Sequence, residues 1–424
     1  MKIVIATAVY YPQINGVAVF SHNLAVGLAK RGNEVMVICP SQTGRNYTRV
    51  KDGVKVCYLK SVEAKIYPDQ IHAVPDRKRF LGVKWPHLWY RHGFRVSVFP
   101  AKEVQRALDE FRPDVVHVQV SDPIGLSVVS YARKRKIPVV TTEHNQPEVI
   151  TEPLKVPGVL KKPMNALLTA YFVNRQGKSD FVTMPTEKAI RDLIWSRGRD
   201  FKVPVAAVSN GVDLSQFRPG KVDKGFYRKY NLPENRPVVL YVGRVDPEKS
   251  VGSVVEAFKM VLEKIPEAVL VVVGDGVDKA RLEQEAEKLG IGESVKFLGK
   301  IMPPDLYEMY RVGEVFVTAS EIETQGIVLI EAAASGLPLV AVDAGAVSEV
   351  CRNDENGFLI EKDKIKNSEI VIKISEAVIM ILENQKLRER FSVNSVKIAE
   401  EHDFKKTLDK FMNIYRKVIL IRQD

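Results

Sequence analysis

Two basic residues follow a short apolar run in the second half of the chain. Residues 238–242 are apolar, and after them come Gly243, Arg244 and, five positions further on, Lys249. Two cations at the end of a strand and the start of a helix suit a diphosphate, because helix amides also favour an anion. An ordinary surface loop contains the same residue types. The pair alone therefore leaves a diphosphate site and a plain loop both open.

Two glutamates spaced eight residues apart form a second candidate cluster. Glu323 precedes a helix predicted to begin near Gly326, and Glu331 lies among the apolar residues of that helix. A carboxylate in an apolar environment needs a partner, and sugar hydroxyls are suitable donors. A salt bridge from Glu331 to a core arginine is the alternative. The amides at the start of the helix would stabilise a bound anion.

Short apolar runs alternate with amphipathic stretches of helical length. The runs span residues 3–6, 35–39, 115–118, 138–142, 181–184, 205–208, 238–242, 268–273, 295–298, 315–317 and 338–342. Continuous apolar runs are typical of parallel strands that are covered on both faces. Their alternation with helices predicts an α/β protein with doubly wound sheets.

One stretch interrupts this alternation and predicts a division into domains. Residues 213–237 contain prolines, glycines and many charges, which indicates a linker. We therefore expect two Rossmann-like domains, at 1–212 and 238–403, and a final helix at 404–424 that crosses back to the first domain. Two such sheets facing across a cleft would bring two substrates together, which favours group transfer.

The order of the motifs resembles a known enzyme family. Gly-Arg-x4-Lys is followed by Val-Gly-Asp-Gly at 273–276, Glu-x7-Glu and Gly345. This order resembles the retaining GT-B glycosyltransferases of family 4, the glycogen-synthase-like and mannosyltransferase-rich group. Asn-Gly-Val at 15–17 and Ser-Asn-Gly-Val-Asp at 209–213 extend the resemblance over nearly the whole chain.

The resemblance implies roles for the residues that match. Arg244 and Lys249 would hold the diphosphate of a nucleotide-sugar donor. Glu323 would contact the transferred sugar, and Glu331 would bind the ribose. The backbone at 299–302 would read the base. The donor site would further include Gly243, Gly299, Lys300, Ile301, Thr324, Gln325, Gly326 and Ile327.

Two residues of the first half also match the family. Gly16 would let the backbone approach the donor, and His144, after the strand at 138–142, would lie beside the reacting sugar. Glu143 precedes it, where relatives often have another residue, and could hold the imidazole or be exposed. A lone histidine at a strand end is more often structural, so the catalytic role of His144 depends on the resemblance.

The chemistry implied by the family needs charge stabilisation at the leaving group. Arg244, Lys249 and helix amides would stabilise the departing nucleoside diphosphate. The sequence contains no Asp-x-Asp, the usual pattern for a metal-held donor phosphate. We therefore predict no metal and no cofactor, with the nucleotide sugar as co-substrate and UDP-glucose as the expected donor. The resemblance implies retention of anomeric configuration.

The net charge of +11 is concentrated in the first half. Residues 1–212 contain 32 basic and 17 acidic residues, whereas 213–424 contain 31 and 35. The stretch 78–95 has five basic residues and no acidic one, interleaved with aromatics that suit an anionic membrane interface. The residues assigned to membrane or acceptor binding are Lys78, Arg79, Lys84, Trp85, Trp89, Arg91 and Arg95.

These features favour a peripheral enzyme on the cytoplasmic face of a membrane. The variant Glu-Thr-Gln-Gly at 323–326 resembles glycosyltransferases that glucosylate diacylglycerol. No apolar run reaches the eighteen or so residues of a spanning helix. The three widely spaced cysteines fit a reducing compartment. The expected partners are a nucleotide sugar, a lipid or glycan acceptor and an anionic membrane surface.

Three other functions remain open at this stage. A soluble enzyme of the same family would transfer a mannose or glucose to a sugar phosphate or a polysaccharide, using the basic half to bind an anionic small molecule. A GT-B-fold sugar-nucleotide epimerase is possible from the fold, although the combined motifs argue against it. Nucleic-acid binding is suggested only by charge, and no recognised module supports it.

Overall fold

A computed structural model of the chain describes most of its 424 residues. The described residues are 1–11, 15–63, 95–119, 122–144, 160, 163–167, 169–170, 177–197, 202–362 and 366–423. The chain divides into two compact units. The first contains residues 1–209 and 407–424, and the second contains residues 210–406.

The first unit is built on an eight-stranded sheet with strand order β10-β9-β8-β7-β1-β2-β4-β3. All neighbours in this sheet are parallel except the edge pair β3 and β4. Its strands are Lys2–Ala6 (β1), Glu34–Pro40 (β2), Tyr47–Lys51 (β3), Val54–Leu59 (β4), Val115–Val118 (β7), Val139–Thr142 (β8), Phe181–Met184 (β9) and Val205–Ala207 (β10). A separate antiparallel pair consists of Val62–Glu63 (β5) and Arg95–Val96 (β6).

Helices connect the parallel strands of the first unit. They are Gly16–Lys30 (α1), Ala101–Phe111 (α2), Pro123–Lys134 (α3) and Glu187–Arg197 (α4). The side chain of Asn15 caps α1 by accepting from the Ala18 amide at 2.8 Å. Asp122 caps α3 in the same way, through the Gly125 amide at 2.7 Å.

The second unit is built on a six-stranded parallel sheet with order β13-β12-β11-β14-β15-β16. The strands are Val238–Val242 (β11), Val269–Val273 (β12), Val295–Gly299 (β13), Val315–Thr318 (β14), Leu339–Val342 (β15) and Gly357–Ile360 (β16). The helices are Lys224–Lys229 (α5), Val251–Lys264 (α6), Lys279–Lys288 (α7), Asp305–Val312 (α8), Ile327–Ala334 (α9), Asn367–Glu383 (α10) and Gln385–Glu400 (α11). Helix Phe404–Gln423 (α12) begins in this unit and continues in the first.

Both sheets are buried on their two faces, as continuous apolar strands require. Every residue of β11 and of β12 is buried. The two faces of this second sheet contribute to two separate hydrophobic clusters, one containing Val239 and Tyr241 and the other Val238 and Leu240. The α/β fold with two doubly wound sheets that the sequence predicts is confirmed. In such sheets the loops at the carboxyl ends of the strands are the natural ligand sites.

The stretch 213–237, which we expected to be a linker, belongs to the second unit. Phe217, Phe226 and Leu232 are buried in one of its hydrophobic clusters. The short helix α5 lies within this stretch. Its prolines and glycines therefore mark an irregular part of the second unit's core.

The described helices include none that combines the length and the apolar character needed to cross a membrane.

Candidate active site

Arg244 lies in the loop that follows β11, and two carboxylates orient it. Its Nη1 donates to Asp246, and its Nη2 donates to Glu248 Oε1 at 2.6 Å. Asp246 is buried, whereas the Arg244 side chain is 42% exposed. The two carboxylates therefore orient the guanidinium, which remains accessible to a ligand.

The loop after β12 supports the Arg244 loop through close backbone contact. A Cβ on Gly274 would overlap the carbonyl oxygen of Gly243, so only glycine allows this approach. Asp246 Oδ1 accepts from the Val277 amide at 3.0 Å. The Val-Gly-Asp-Gly motif and the Val277 amide that follows it therefore fix Asp246, which orients Arg244.

Lys249 and Glu323 meet, although 74 residues separate them. Lys249 Nζ lies 2.6 Å from Glu323 Oε1, and both side chains are largely buried, with exposures of 17% and 15%. The same ammonium donates to Ser320 Oγ at 3.2 Å and to the Ile322 carbonyl at 3.3 Å. The structure therefore brings together two predicted donor residues from the ends of β11 and β14.

The loop that carries Glu323 is braced on two sides. Ser250 Oγ donates to Glu321 Oε1 at 2.8 Å. On the other side, Gly345 approaches so closely that a Cβ would overlap the Glu323 carbonyl oxygen, and the Ala346 amide donates to that oxygen at 3.0 Å. Gly345 also has a φ of 57°, which favours glycine. The Gly345 of the sequence pattern thus shapes the Glu323 loop.

Helix α9 begins directly after this loop. Gly326 adopts a left-handed conformation with φ 73° and precedes the first helical residue, Ile327. The first amides of a helix lack intrahelical partners and carry the positive end of the helix dipole, so they can bind an anion. The side chain of Gln325 is buried and accepts from the Asn210 amide at 3.1 Å. Gln325 therefore has a structural side chain, and only its backbone is available to a ligand.

Glu331 lies inside α9 and has a neutral partner. Its Oε2 accepts from the Tyr310 hydroxyl at 2.7 Å, and Tyr310 is fully buried. Desolvation raises the pKa of Glu331 to about 7, and the Tyr310 hydrogen bond opposes this increase. The partner is thus a phenol from α8 rather than the core arginine of the alternative interpretation. Nothing in the sequence pattern of α8 pointed to Tyr310.

The predicted base-reading segment lies at the end of β13. The Gly299 carbonyl accepts from the Gly274 amide at 2.8 Å, which ties this segment to the loop after β12. Ile301 is buried in a hydrophobic cluster of the second unit. Lys300 interacts with Asp275, and desolvation lowers its pKa.

Carboxylates balance the positive charge of the two predicted cations. Arg244 and Lys249 contact Asp246, Glu248 and Glu323, which are three carboxylates for two cations. An arriving diphosphate would have to replace some of these contacts. The site therefore contains two oriented cations, and an anionic ligand could displace their carboxylate partners.

The two predicted residues of the first unit lie at the start of α1 and after the end of β8. Gly16 is the first residue of α1 rather than part of the preceding loop. His144 follows β8; its Nε2 lies 2.7 Å from Gln119 Oε1, and its ring packs edge-on against Phe20 at 5.3 Å between centroids. Burial lowers the pKa of His144 to about 3, so the imidazole is neutral at physiological pH.

Glu143 is buried rather than exposed. The hydrogen-bond partner of His144 Nε2 is Gln119, a residue that our sequence analysis did not single out. Its position at the end of β7, one strand from β8, is the signal that could have identified it.

Most of the predicted membrane segment lies outside the described residues. This applies to Lys78, Arg79, Lys84, Trp85, Trp89 and Arg91. Arg95 is described, and its guanidinium donates to the Ser61 hydroxyl and carbonyl, both at 3.0 Å. Arg95 thus anchors the β5–β6 pair. Within the described part of the chain, no group of three or more His, Cys, Asp or Glu residues is arranged to hold a metal ion.

Two family descriptions match the chain. Residues 14–216 match Glycosyltransferase Family 4, and residues 224–397 match Glycosyl transferases group 1. Each match corresponds to one of the two units.

Two similar proteins align with most of the chain. The alpha-monoglucosyldiacylglycerol synthase of Streptococcus pneumoniae is 29% identical over 347 residues, which is 80% of this chain and 71% of the relative. The GDP-mannose-dependent alpha-mannosyltransferase of Mycobacterium tuberculosis is 29% identical over 367 residues, or 85% of this chain and 84% of the relative.

Solved structures share the fold. Sucrose-phosphate synthase from Thermosynechococcus elongatus aligns with a TM-score of 0.71 at 16% identity, covering 99% of this chain and 100% of that protein. At this identity the likeness shows the fold alone.

Proposed function

The chain belongs to the family 4 glycosyltransferases of the GT-B fold, and on this premise we propose that it transfers a hexose from a nucleoside diphosphate sugar to a membrane lipid. The observation that supports the donor half of the proposal most directly is the Lys249–Glu323 contact at 2.6 Å. It unites the two residues that would hold the diphosphate and the transferred sugar.

In this proposal the donor is bound by the second unit. Arg244, Lys249 and the first amides of α9 hold the diphosphate, and Glu323 contacts the sugar. Glu331 accepts a hydrogen bond from the ribose. The backbone at 299–301 contacts the base.

The reaction develops negative charge on the leaving diphosphate. The bond between the anomeric carbon and the diphosphate oxygen breaks, and a bond to the acceptor oxygen forms on the same face. The acceptor proton passes to the departing phosphate. Arg244, Lys249 and the α9 amides stabilise the charge that develops, which is the usual largest contribution to such catalysis.

We propose that no divalent metal is required. Arg244, Lys249 and the first amides of α9 would supply at the leaving group the charge stabilisation that a metal ion can supply. Turnover in excess EDTA should equal turnover in excess Mg²⁺. A strict dependence on added metal would refute this part of the proposal.

Replacement of Arg244 tests the donor site. Arg244→Ala should lower turnover by about a hundredfold or more, as loss of comparable charge stabilisers does. Arg281→Ala is the matched control, because Arg281 also joins two carboxylates, Asp278 and Glu285, in the same unit. Full activity in Arg244→Ala, or an equal loss in Arg281→Ala, would remove the assignment.

The acceptor half of the proposal rests on charge and on the relatives. The excess of basic residues lies in the first 212 positions, and the basic and aromatic stretch 78–95 suits an anionic lipid surface. One relative with 29% identity is named as a monoglucosyldiacylglycerol synthase. We therefore favour a hexosyl transfer to diacylglycerol, with UDP-glucose as the donor.

The membrane part can be tested by vesicle partitioning. Each basic residue near an anionic surface contributes about 1 kcal/mol, so neutralising five of them should weaken partitioning by several orders of magnitude. Unchanged partitioning onto vesicles with anionic lipid would refute the membrane role. The five residues are Lys78, Arg79, Lys84, Arg91 and Arg95.

A second donor class is supported by another relative. The mannosyltransferase from Mycobacterium tuberculosis is also 29% identical and covers slightly more of the chain. A GDP-mannose-dependent reaction is therefore the alternative that a donor panel must include. Transfer from GDP-mannose without transfer from UDP-glucose would select it.

A further inference from the structure

We propose that Gln119 is a positioning residue for His144 and holds its imidazole in one orientation and one tautomer. This inference rests on the proposed function, in which His144 would lie beside the reacting sugar as the family resemblance implies. Gln119 directly follows β7, and His144 follows the neighbouring parallel strand β8, so both lie at the same edge of the first sheet. Gln119 Oε1 and His144 Nε2 are 2.7 Å apart.

The Gln119 amide is itself fixed in place. Its backbone amide donates to the Ala6 carbonyl at 2.8 Å, and the residue is fully buried. Its Nε2 lies 3.2 Å and 3.3 Å from the two ring nitrogens of His117. One end of the amide thus contacts His117 and the other contacts His144.

His117 is in turn held by two hydroxyl groups. Its Nδ1 lies 2.6 Å from the Tyr415 hydroxyl, on α12, and its Nε2 lies 2.6 Å from Thr142 Oγ1. Thr142 Oγ1 also lies 2.6 Å from Thr183 Oγ1. These groups are all buried, so a misoriented member would leave a buried polar atom without a partner, which is unfavourable.

The chemistry of an amide then determines the tautomer. A glutamine oxygen only accepts and its nitrogen only donates. With the nitrogen directed to His117, the oxygen must accept from His144, which places the proton on Nε2 and the lone pair on Nδ1. Without this contact, the neutral ring could carry its proton on either nitrogen. Gln119 therefore selects which nitrogen of His144 can accept a proton or a hydrogen bond from substrate.

The test compares Gln119→Met with Gln119→Glu. Methionine has a similar length and removes the hydrogen bond, so kcat should fall about tenfold, the equivalent of one buried hydrogen bond of about 1.4 kcal/mol. The donor KM should stay the same, because the donor binds the second unit. Glutamate keeps an acceptor toward His144 and should restore part of the lost kcat.

Two controls separate positioning from a general loss of stability. Ser179→Ala removes a buried hydrogen bond to Thr141 in the same unit, outside the network that joins Gln119 to His117 and His144, and it should leave kcat within about twofold of wild type. In a His144→Ala background, Gln119→Met should cause no further decrease. An equal decrease in Ser179→Ala, or an undiminished decrease without His144, would overturn the proposal.

A spectroscopic measurement decides the inference without reference to turnover. Long-range ¹H–¹⁵N spectra of protein labelled at histidine should show His144 as a single Nε2-protonated tautomer, and as a mixture in Gln119→Met. An Nδ1-protonated His144, or a mixture in the wild type, would overturn the proposal. If the chain transferred no sugar at all, the proposed function would fail while this result still decided the role of Gln119.

Discussion

In the proposed donor site, Glu248 would compete with the diphosphate for Arg244. Glu248 Oε1 lies 2.6 Å from Arg244 Nη2, so a phosphate oxygen that binds this guanidinium nitrogen would displace it. The variant Glu248→Gln removes the competing charge and leaves the side chain nearly unchanged in shape. We expect this variant to bind nucleoside diphosphates more tightly than the wild type.

The magnitude follows from the exposure of the pair. The Arg244 side chain is 42% exposed, so solvent screens the interaction and the pair is worth about 0.5–1 kcal/mol. Its removal should therefore lower the Kd for UDP or GDP by about two- to fivefold. Because the effect is electrostatic, it should shrink as salt is raised toward about 1 M.

Isothermal titration with UDP and GDP measures this change directly. Glu256→Gln is the control: it removes one negative charge from the same unit, at an exposed carboxylate on α6, and should change Kd by less than the Glu248 variant. Unchanged or weaker binding in Glu248→Gln would refute the view that the donor displaces this carboxylate. An equal gain in the control would attribute the effect to net charge alone.

Three further variants test the site and its support. Lys249→Ala should lower turnover about a hundredfold, since in the proposed donor site Lys249 would bind the diphosphate and it contacts Glu323; wild-type turnover would contradict this. Gly345→Ala should lower turnover at least tenfold because its Cβ would overlap the Glu323 carbonyl, whereas Gly290→Ala has a similar φ with open space around it and should keep its turnover. His144 has a pKa of about 3 when folded and about 6.5 when unfolded, so it stabilises the fold less as pH falls through this window. Urea unfolding at pH 7.5 and at pH 5 measures this effect. Between these two pH values the free energy of unfolding of His144→Phe should decrease by about 2 kcal/mol less than that of the wild type. Equal decreases in the two proteins would contradict the neutral buried state.

The main strands could be predicted because their signals are local. Continuous apolar runs marked β1, β11 and β12, each at the predicted position to within one residue. The position of Arg244 and Lys249 in the segment after β11 follows from the same signal, because both residues come shortly after an apolar run. Strands β3 and β4 were missed because neither is a continuous apolar run: β3 is exposed and mixed in composition, and Lys55 interrupts β4.

The partners of the site residues could not be predicted from the sequence. Tyr310 meets Glu331 and Gln119 meets His144 only because the fold brings separate strands and helices together. The pairing of Lys249 with Glu323 likewise depends on β11 and β14 being neighbours in the sheet. The stretch 213–237 resembled a linker in composition, yet Phe217 and its neighbours are buried by the second unit.

The central claim is the transfer of a hexose from a nucleotide sugar to a lipid. The most direct measurement incubates the protein with UDP- and GDP-sugars in EDTA and with vesicles of diacylglycerol and anionic lipid, followed by separate analysis of the organic and aqueous phases. We expect sugar in the organic phase, with UDP-glucose as the donor. Sugar that appears only in water, together with nucleotide release, would contradict the lipid acceptor, and the absence of both nucleotide binding and turnover would contradict the donor site itself.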